Sequence, residues 1–260
     1  MGADGMKRIA TNTRNFLERL VWGDRLRERI AIGFLGGIYR SQFRRQWIYA
    51  QHEPHYFNHR WDAYELVYGK KKNPYVFSRG FFTVESLQKG DKLLDIGCGD
   101  GFFTNNFYAP VCSEIDAIDI EDSAIQLAKS TNKSNNINYT VLDATSEPFP
   151  SNNYDVISWD GAIGHFAATD TAELIEKISK NLNESGIFVG SESLGDHEGD
   201  DHLQYFLDEK SLALAFKPFF KHVLIKTMRY DLESGINRVE AFWRCSNELQ
   251  KLESFEWKQF

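Results

Sequence analysis

The sequence predicts an α/β fold with a mostly parallel sheet of about seven strands and an additional helical N-terminal extension. Three observations carry this prediction. After Gly90, short β-branched or apolar runs alternate with helix-length segments, which is typical of right-handed βαβ units. Two later β-rich runs flank the turn-prone residues 233–237 and indicate an antiparallel C-terminal hairpin. Before Gly90, arginines recur between apolar residues at helical spacing.

The helical spacing of apolar residues between about Arg8 and Ala50 predicts two amphipathic helices, with a break near Gly36 and Gly37. A second segment, residues 52–80, is rich in aromatic residues and predicts a helical lid or entry segment. We therefore divide the chain into an N-terminal helical extension, residues 1–80, and a catalytic domain, residues 81–260.

Charge is distributed unevenly along the chain. The 260 residues carry a formal net charge of -7 and are 42% apolar. Residues 1–50 are nevertheless basic, so the remainder is strongly acidic. An acidic body disfavours a broad phosphate-binding face, and therefore a nucleic-acid substrate. The basic head is compatible with a peripheral membrane contact, with packing on its own domain or in a dimer, or with another partner.

The cysteines and the apolar runs bear on the compartment. Cys98, Cys112 and Cys245 are odd in number and show no metal-binding spacing, which disfavours a disulfide framework. No run reaches the ~18–20 apolar residues of a membrane span, and the start lacks the apolar core of a signal peptide. We expect a soluble, cytoplasmic protein, with peripheral membrane contact as an open alternative.

The strands and helices of the catalytic domain follow from the apolar periodicity. Predicted strands are Lys92–Ile96, Ile115–Ile120, Tyr139–Leu142, Val156–Trp159, Ile187–Ser191, Lys221–Thr227 and Arg238–Trp243. Predicted helices include Ser123–Lys129 and Thr171–Asn181.

The strongest chemical signal is the segment Leu93–Thr104, in which an apolar strand runs into a glycine-rich turn before a helix. Glycines at such a turn let the backbone bend sharply and approach a ligand closely. The pattern is D-x-G-x-G-x-G rather than the G-x-G-x-x-G of a dinucleotide-binding loop. It nominates Asp95, Gly97, Cys98, Gly99 and Gly101 as cofactor-binding residues.

This motif resembles the first motif of the class I S-adenosylmethionine-dependent methyltransferases, and the resemblance covers roughly Leu87–Arg244. It implies a Rossmann-like sheet and S-adenosyl-L-methionine as cofactor. In that family an acid ending the second strand bonds both ribose hydroxyls, which assigns the role to Asp119, followed by Ile120 against the adenine. A carboxylate suits a diol because it accepts two charge-assisted hydrogen bonds.

The resemblance extends to two later motifs. Asp143 would accept from the adenine amino group and the Ala144 amide would donate to the ring, while Trp159 and Asp160 would lie beside the methionine portion. Taken singly, Asp95 as a loop cap, Asp119 as a helix N-terminal acid and Asp143 as a turn former remain alternatives.

Methyl transfer to a hydroxyl or protonated amine needs a base, and His165, six residues after Trp159, is the best candidate. The alternative is a histidine that caps or packs the helix starting near Thr169. Several segments are similar to a group of bacterial class I methyltransferases of undefined substrate, in which an acid precedes this histidine. Gly164 stands there in this chain.

Further residues are candidates for the pocket. Arg79 is expected to reach the cofactor carboxylate or to form a surface ion pair. Tyr56, His59 and Trp61 are expected to line the acceptor pocket, with a metal site at His52, His55 and His59 as a disfavoured reading because Pro54 interrupts the run. His202, with His197, is assigned to the same pocket, the alternative being a solvated acidic loop.

We therefore expect a methyltransferase acting on oxygen or nitrogen of a small molecule, glycan or lipid-linked metabolite. A catalytically silent cofactor-binding module and a nucleic-acid methyltransferase are the alternatives. The fourth motif lacks an N/D-P-P-Y/F tetrad, and no cysteine follows that strand to attack a pyrimidine. An aminopropyltransferase is also disfavoured, because Asp160 has no second acid beside it.

Overall fold

The computed structural model describes residues 29–30, 33–38, 41, 75–195, 202–231, 237–248, 252 and 258–259. The chain divides into two compact units, Met1–Glu53 and Pro54–Phe260. In the first unit, residues 29–30 and 33–38 are helical, as predicted for the head, but the helix continues through Gly36 and Gly37, so the break predicted there is wrong. Glycine weakens a helix without preventing it. Ile30, Phe34 and Ile38 are 50%, 69% and 48% exposed there. Among the described helices, none has the length and apolar composition that a bilayer crossing requires.

The second unit alternates strands and helices as the sequence predicts. Its helices are α1 (Tyr75–Ser86), α2 (Asp122–Thr131), α3 (Ala168–Asn181) and α4 (Glu209–Phe216), with a π-helical turn at Thr104–Tyr108 and a 3₁₀ turn at Ile163–His165. Its strands are β1 (Lys92–Ile96), β2 (Glu114–Asp119), β3 (Ile137–Val141), β4 (Tyr154–Asp160), β5 (Leu182–Leu194), β6 (His222–Asp231), β7 (Asn237–Ser246) and β8 (Lys258–Gln259).

The described strands form one sheet in the order β3-β2-β1-β4-β5-β7-β6-β8. The first five are parallel, whereas β7 runs antiparallel to both β5 and β6. The predicted mostly parallel sheet with an antiparallel hairpin is confirmed, and the two-residue β8 adds an edge strand. Strand order reverses between β1 and β4, the switch point at which open α/β sheets bind ligands.

Both faces of the sheet are covered. β1 and β4 are buried along nearly their whole length, since helices pack on either side of the central strands. On α3, Leu174, Ile175 and Ile178 are buried at helical spacing, and each contributes roughly 1.5–3 kcal/mol by leaving water. This packing holds the carboxyl ends of β1, β2 and β4 together at one edge of the sheet, where the candidate site lies.

Candidate functional site

The glycine loop after β1 takes the tight conformation that its sequence predicts. Gly97, Gly99 and Gly101 have φ angles of 70°, 54° and 70°, in the left-handed region that favours glycine. The amides of Gly97 and Cys98 both donate to the carbonyl of Ile118, at 2.8 and 3.0 Å, which holds the loop against β2. A Cβ at Gly101 would overlap the Tyr139 hydroxyl and the Ala128 methyl. The loop is therefore a tight turn at the sheet edge that packs closely on the fold at Gly101.

Asp95 lies beneath this loop and is 5% exposed. Its carboxylate accepts from the hydroxyls of Thr104 at 2.6 Å and Ser158 at 2.8 Å, so it connects the π-helical turn to β4. Burial raises the pKa of Asp95 to about 7, and the two hydroxyls oppose this rise. Asp95 therefore supports the base of the glycine loop, a role similar to the loop cap considered as an alternative. Its contact with the cofactor stays a prediction.

Asp119 closes β2 and contacts the glycine loop directly. Its Oδ2 accepts from the Gly99 amide at 2.8 Å and its Oδ1 accepts from the Glu121 amide at 2.9 Å. Because a carboxylate has about four acceptor directions, these amides leave capacity for a further donor. Burial raises the pKa of Asp119 above its ordinary value. Ile120 follows with 65% of its side chain exposed, an apolar surface at the place assigned to the adenine.

Asp143 lies after β3 in a turn that its own side chain stabilises. Its Oδ1 accepts from the amide and hydroxyl of Thr145, at 2.9 and 2.7 Å, and its Oδ2 accepts from the Ser146 hydroxyl at 2.8 Å. These donors lower the pKa of Asp143. Lys177 donates to the Ala144 carbonyl at 2.8 Å and so supports the same loop. The turn-forming role is present, and the adenine contact stays a prediction.

The end of β4 carries two residues with different surroundings. Trp159 is fully buried and its ring packs edge-on against Phe166, with centroids 5.0 Å apart. The Asp160 Oδ2 accepts from the Thr83 hydroxyl at 3.0 Å and from the Tyr108 hydroxyl at 3.4 Å. Burial raises the pKa of Asp160 to about 6. The Asp160 carboxyl is therefore held in place by two hydroxyl groups at the sheet edge. The Trp159 side chain lies in the hydrophobic core.

Arg79 lies in a buried ion pair, so the alternative of a surface ion pair is wrong. Its Nε donates to Glu240 Oε1 at 3.1 Å, and the Arg238 Nε donates to Oε2 of the same carboxylate at 2.8 Å. Arg79 is 7% exposed and Glu240 fully buried. The guanidinium also occupies the space that a Cβ at Gly161 would need. The contact of Arg79 with the cofactor carboxylate stays a prediction.

His165 and His202 are brought together although they are 37 positions apart in the sequence. Their ring centroids lie 4.6 Å apart with an interplanar angle of 77°. Helix α3 begins at Ala168 without a side-chain cap, so His165 does not cap it. The turn that carries His165 adjoins the glycine loop, since a Cβ at Gly97 would lie 3.7 Å from the Ala162 methyl. The candidate base therefore belongs to the same edge as Asp119.

Other predicted residues lie outside the described part of the chain: Tyr56, His59 and Trp61 of the acceptor pocket, together with His52, His55 and His197. Within the described ranges, no three His, Cys, Asp or Glu side chains are grouped to hold a metal ion.

Four site residues have no role in the sequence-based assignment: Thr83, Tyr108, Glu192 and Glu240. A signal exists for Glu240, because a carboxylate inside an apolar strand is rarely buried unless it is paired. Thr83 falls one helical turn after Arg79, so the two polar side chains lie on the same side of the helix. Tyr108 and Glu192 carry no such signal.

Comparison with known proteins identifies relatives of the sheet-forming part. A family model described as a methyltransferase domain matches residues 87–211. The chain is 24% identical over 219 residues to the phosphoethanolamine N-methyltransferase of Plasmodium falciparum, and this alignment covers 76% of this chain and 80% of that protein. It is 32% identical over 88 residues to a ubiquinone/menaquinone biosynthesis C-methyltransferase of Pasteurella multocida, covering 32% of this chain and 33% of that enzyme.

Solved structures share the fold. The N-methyltransferase NodS from Bradyrhizobium japonicum superimposes with a TM-score of 0.53 at 19% identity, over 67% of this chain and 98% of NodS. At that identity the likeness concerns architecture, in agreement with the strand order and the hairpin described above.

Proposed function

Because residues 87–211 match a family model described as a methyltransferase domain, we propose that the protein uses S-adenosylmethionine to methylate oxygen or nitrogen of a small-molecule, glycan or lipid-linked acceptor. The observation that carries the proposal is the meeting of three elements at one sheet edge. These are the glycine loop, the carboxylate of Asp119 bonded to the Gly99 amide at 2.8 Å, and the turn bearing His165.

The described residues fit the cofactor. The loop of three left-handed glycines turns tightly at the end of β1, with Gly101 packed against Tyr139 and Ala128. The amides that donate to Asp119 do not exhaust the acceptor capacity of its carboxylate, which can therefore serve a vicinal diol, and Ile120 offers an exposed apolar surface beside it. When bound, S-adenosylmethionine supplies an electrophilic methyl group on a sulfonium. The protein's task is then to hold the acceptor in line and to accept a proton from it.

His165 is the proposed base. Its imidazole is solvent-exposed at the end of a 3₁₀ turn, so an acceptor can reach it. A neutral imidazole accepts the proton that a hydroxyl or ammonium acceptor must lose before or during attack. Asp160, held by Thr83 and Tyr108, supplies negative charge at the same edge and would favour a cationic group there.

The acceptor class is inferred from charge and from the relatives. Acidic composition beyond residue 50 disfavours nucleic acid. The relative that aligns over 76% of this chain is named as a phosphoethanolamine N-methyltransferase, which supports a small acceptor, whereas relatives named as ribosomal protein L11 methyltransferases align over 40–50% of it.

Transfer is tested by incubating the protein with methyl-labelled S-adenosylmethionine and separate small-molecule, lipid, protein and nucleic-acid fractions of a bacterial extract. Label in the small-molecule or lipid fraction is expected. Label only in nucleic acid or protein contradicts the acceptor class, and cofactor binding without any label favours a silent module. His165→Ala should lower turnover about 100-fold with little change in cofactor affinity. His222→Ala, at the opposite edge of the sheet, is the control.

We also propose that the basic head contacts anionic membrane surfaces. Its net positive charge and the exposed side chains of Ile30, Phe34 and Ile38 support this. The protein should co-sediment with phosphatidylglycerol vesicles at low salt, and Phe34→Ser should weaken binding. Leu214→Ser, at a comparably exposed leucine of the other unit, is the control. No sedimentation at low salt contradicts the proposal.

A further inference from the structure

We propose that His202 is a positioning residue for His165: its ring, seated on Gly164, fixes the direction of the neighbouring imidazole. This inference rests on the proposed function, in which His165 is the base. It concerns how a distant segment, residues 202–206, completes the turn after β4.

Gly164 is held from both sides of its backbone. Its amide donates to Glu192 Oε2 at 3.0 Å, and Glu192 is 3% exposed on β5. Its carbonyl accepts from the amides of Leu203 at 2.8 Å and Gln204 at 3.2 Å. The 3₁₀ turn is therefore attached to the sheet through one group and to the later segment through the other.

The missing side chain of Gly164 makes room for the imidazole of His202. A Cβ at this position would lie 2.7 Å from His202 Nδ1 and 2.8 Å from Cε1, closer than real Cβ contacts. The ring thus lies against the Cα of Gly164 and meets the His165 ring edge to face at 4.6 Å. The imidazole thus comes from a segment 38 positions later in the chain.

The segment that brings His202 is itself fixed to the fold. The side-chain amide Nε2 of Gln204 donates to the Ile163 carbonyl at 2.9 Å. Phe206 is buried, and its carbonyl accepts from the Gly195 amide at 2.9 Å at the end of β5. These contacts define the position of the ring without any ligand, which is the property that a positioning residue needs.

Contact with the reacting base explains why the ring matters. An edge-to-face pair of imidazoles restricts rotation of both rings through dispersion and quadrupole contacts. The Tyr205 ring also lies near His202, with ring centroids 5.7 Å apart, and limits its displacement. Because misplacing a catalytic group by about 1 Å can cost roughly 100-fold in rate, this restriction acts on turnover.

The test compares His202→Ala, His202→Phe and Gly164→Ala with the wild type and with His222→Ala. We expect His202→Ala and Gly164→Ala to lower kcat 10- to 100-fold, with the acceptor KM and the cofactor Kd within about threefold. His202→Phe keeps a ring at the same place and should recover most of kcat. A raised KM at unchanged kcat, or a His202→Phe variant as slow as His202→Ala, would overturn the positioning role.

A second measurement is independent of turnover. In the protein without acceptor, the ¹³Cε1–¹H resonance of His165, assigned by its loss in His165→Ala, should broaden in His202→Ala because its ring moves more freely, and should sharpen again in His202→Phe. An unchanged line width in His202→Ala would overturn the inference even if the protein proved to be no methyltransferase. If the NMR changes occur as expected but the wild type transfers no methyl group at all, only the proposed function is contradicted.

Discussion

Removal of the Asp119 carboxylate is the most informative perturbation of the cofactor site. In the wild type its two oxygens accept from the amides of Gly99 and Glu121 at 2.8 and 2.9 Å, which aims the remaining acceptor directions away from the loop. Asp119→Ala deletes the acceptors proposed for the ribose and also leaves the Gly99 amide without this partner.

The expected size follows from hydrogen bonds to a charged group, which contribute about 1.5–3 kcal/mol each. Two such bonds to a diol give about 3 kcal/mol at the low end, or a rise in cofactor Kd of roughly 100-fold. Asp119→Asn keeps the shape and one acceptor, so its loss should be smaller.

The assay is titration calorimetry with S-adenosylmethionine and S-adenosylhomocysteine. Glu114→Ala, at the other end of the same strand with a half-exposed side chain, is the matched control and should leave Kd unchanged. Because burial raises the pKa of Asp119, affinity should also fall as the pH is lowered through that pKa, and Asp119→Asn should abolish this dependence. A Kd for Asp119→Ala within threefold of the wild-type value would refute the ribose assignment.

Three further predictions concern stability, measured as the free energy of unfolding in urea. Gly90→Ala adds a Cβ at φ 98° with open space around it and should cost about 1 kcal/mol. Gly101→Ala adds both backbone strain and overlap with its neighbours and should cost at least twice as much, so equal losses would contradict the close packing. Glu240→Ala leaves the buried Arg79 and the partly buried Arg238 without their shared carboxylate and should cost about 3–5 kcal/mol. Glu176→Ala, in an exposed pair with Lys180, should cost less than about 1 kcal/mol, and similar losses for both variants would refute the buried network. Burial raises the pKa of Asp95 to about 7, so the native state binds more protons than the unfolded chain between about pH 4 and 7, and stability should fall as the pH rises through this window. Asp95→Asn should remove this component, and an unchanged pH profile in that variant would contradict it.

The fold was predictable because local patterns carry it. β1 was predicted as Lys92–Ile96 and is observed there, because an apolar run bounded by a turn and a glycine loop leaves little choice of boundary. Helix α4 went without a prediction, although Asp208 and Ser211 form a capping box whose residues are visible in the sequence.

The geometry of the glycine loop and the placement of Asp119 beside it were predictable for the same reason. Asp119 ends its strand, and the glycines have to occupy left-handed conformations that other residues rarely adopt. The positions of these groups are set within a few residues of chain, so their spacing in the sequence is nearly their spacing in space.

The sequence by itself determined the sheet, the glycine loop and the acids at the strand ends. Only the tertiary structure decided which residues these groups meet. Arg79 pairs with Glu240, 161 positions away, because β7 returns antiparallel beside β5. His202 comes to rest on Gly164 because a segment beyond β5 folds back onto the turn after β4. Such contacts depend on strand register and chain return, which local periodicity does not encode, whereas burial of apolar runs depends on local pattern alone.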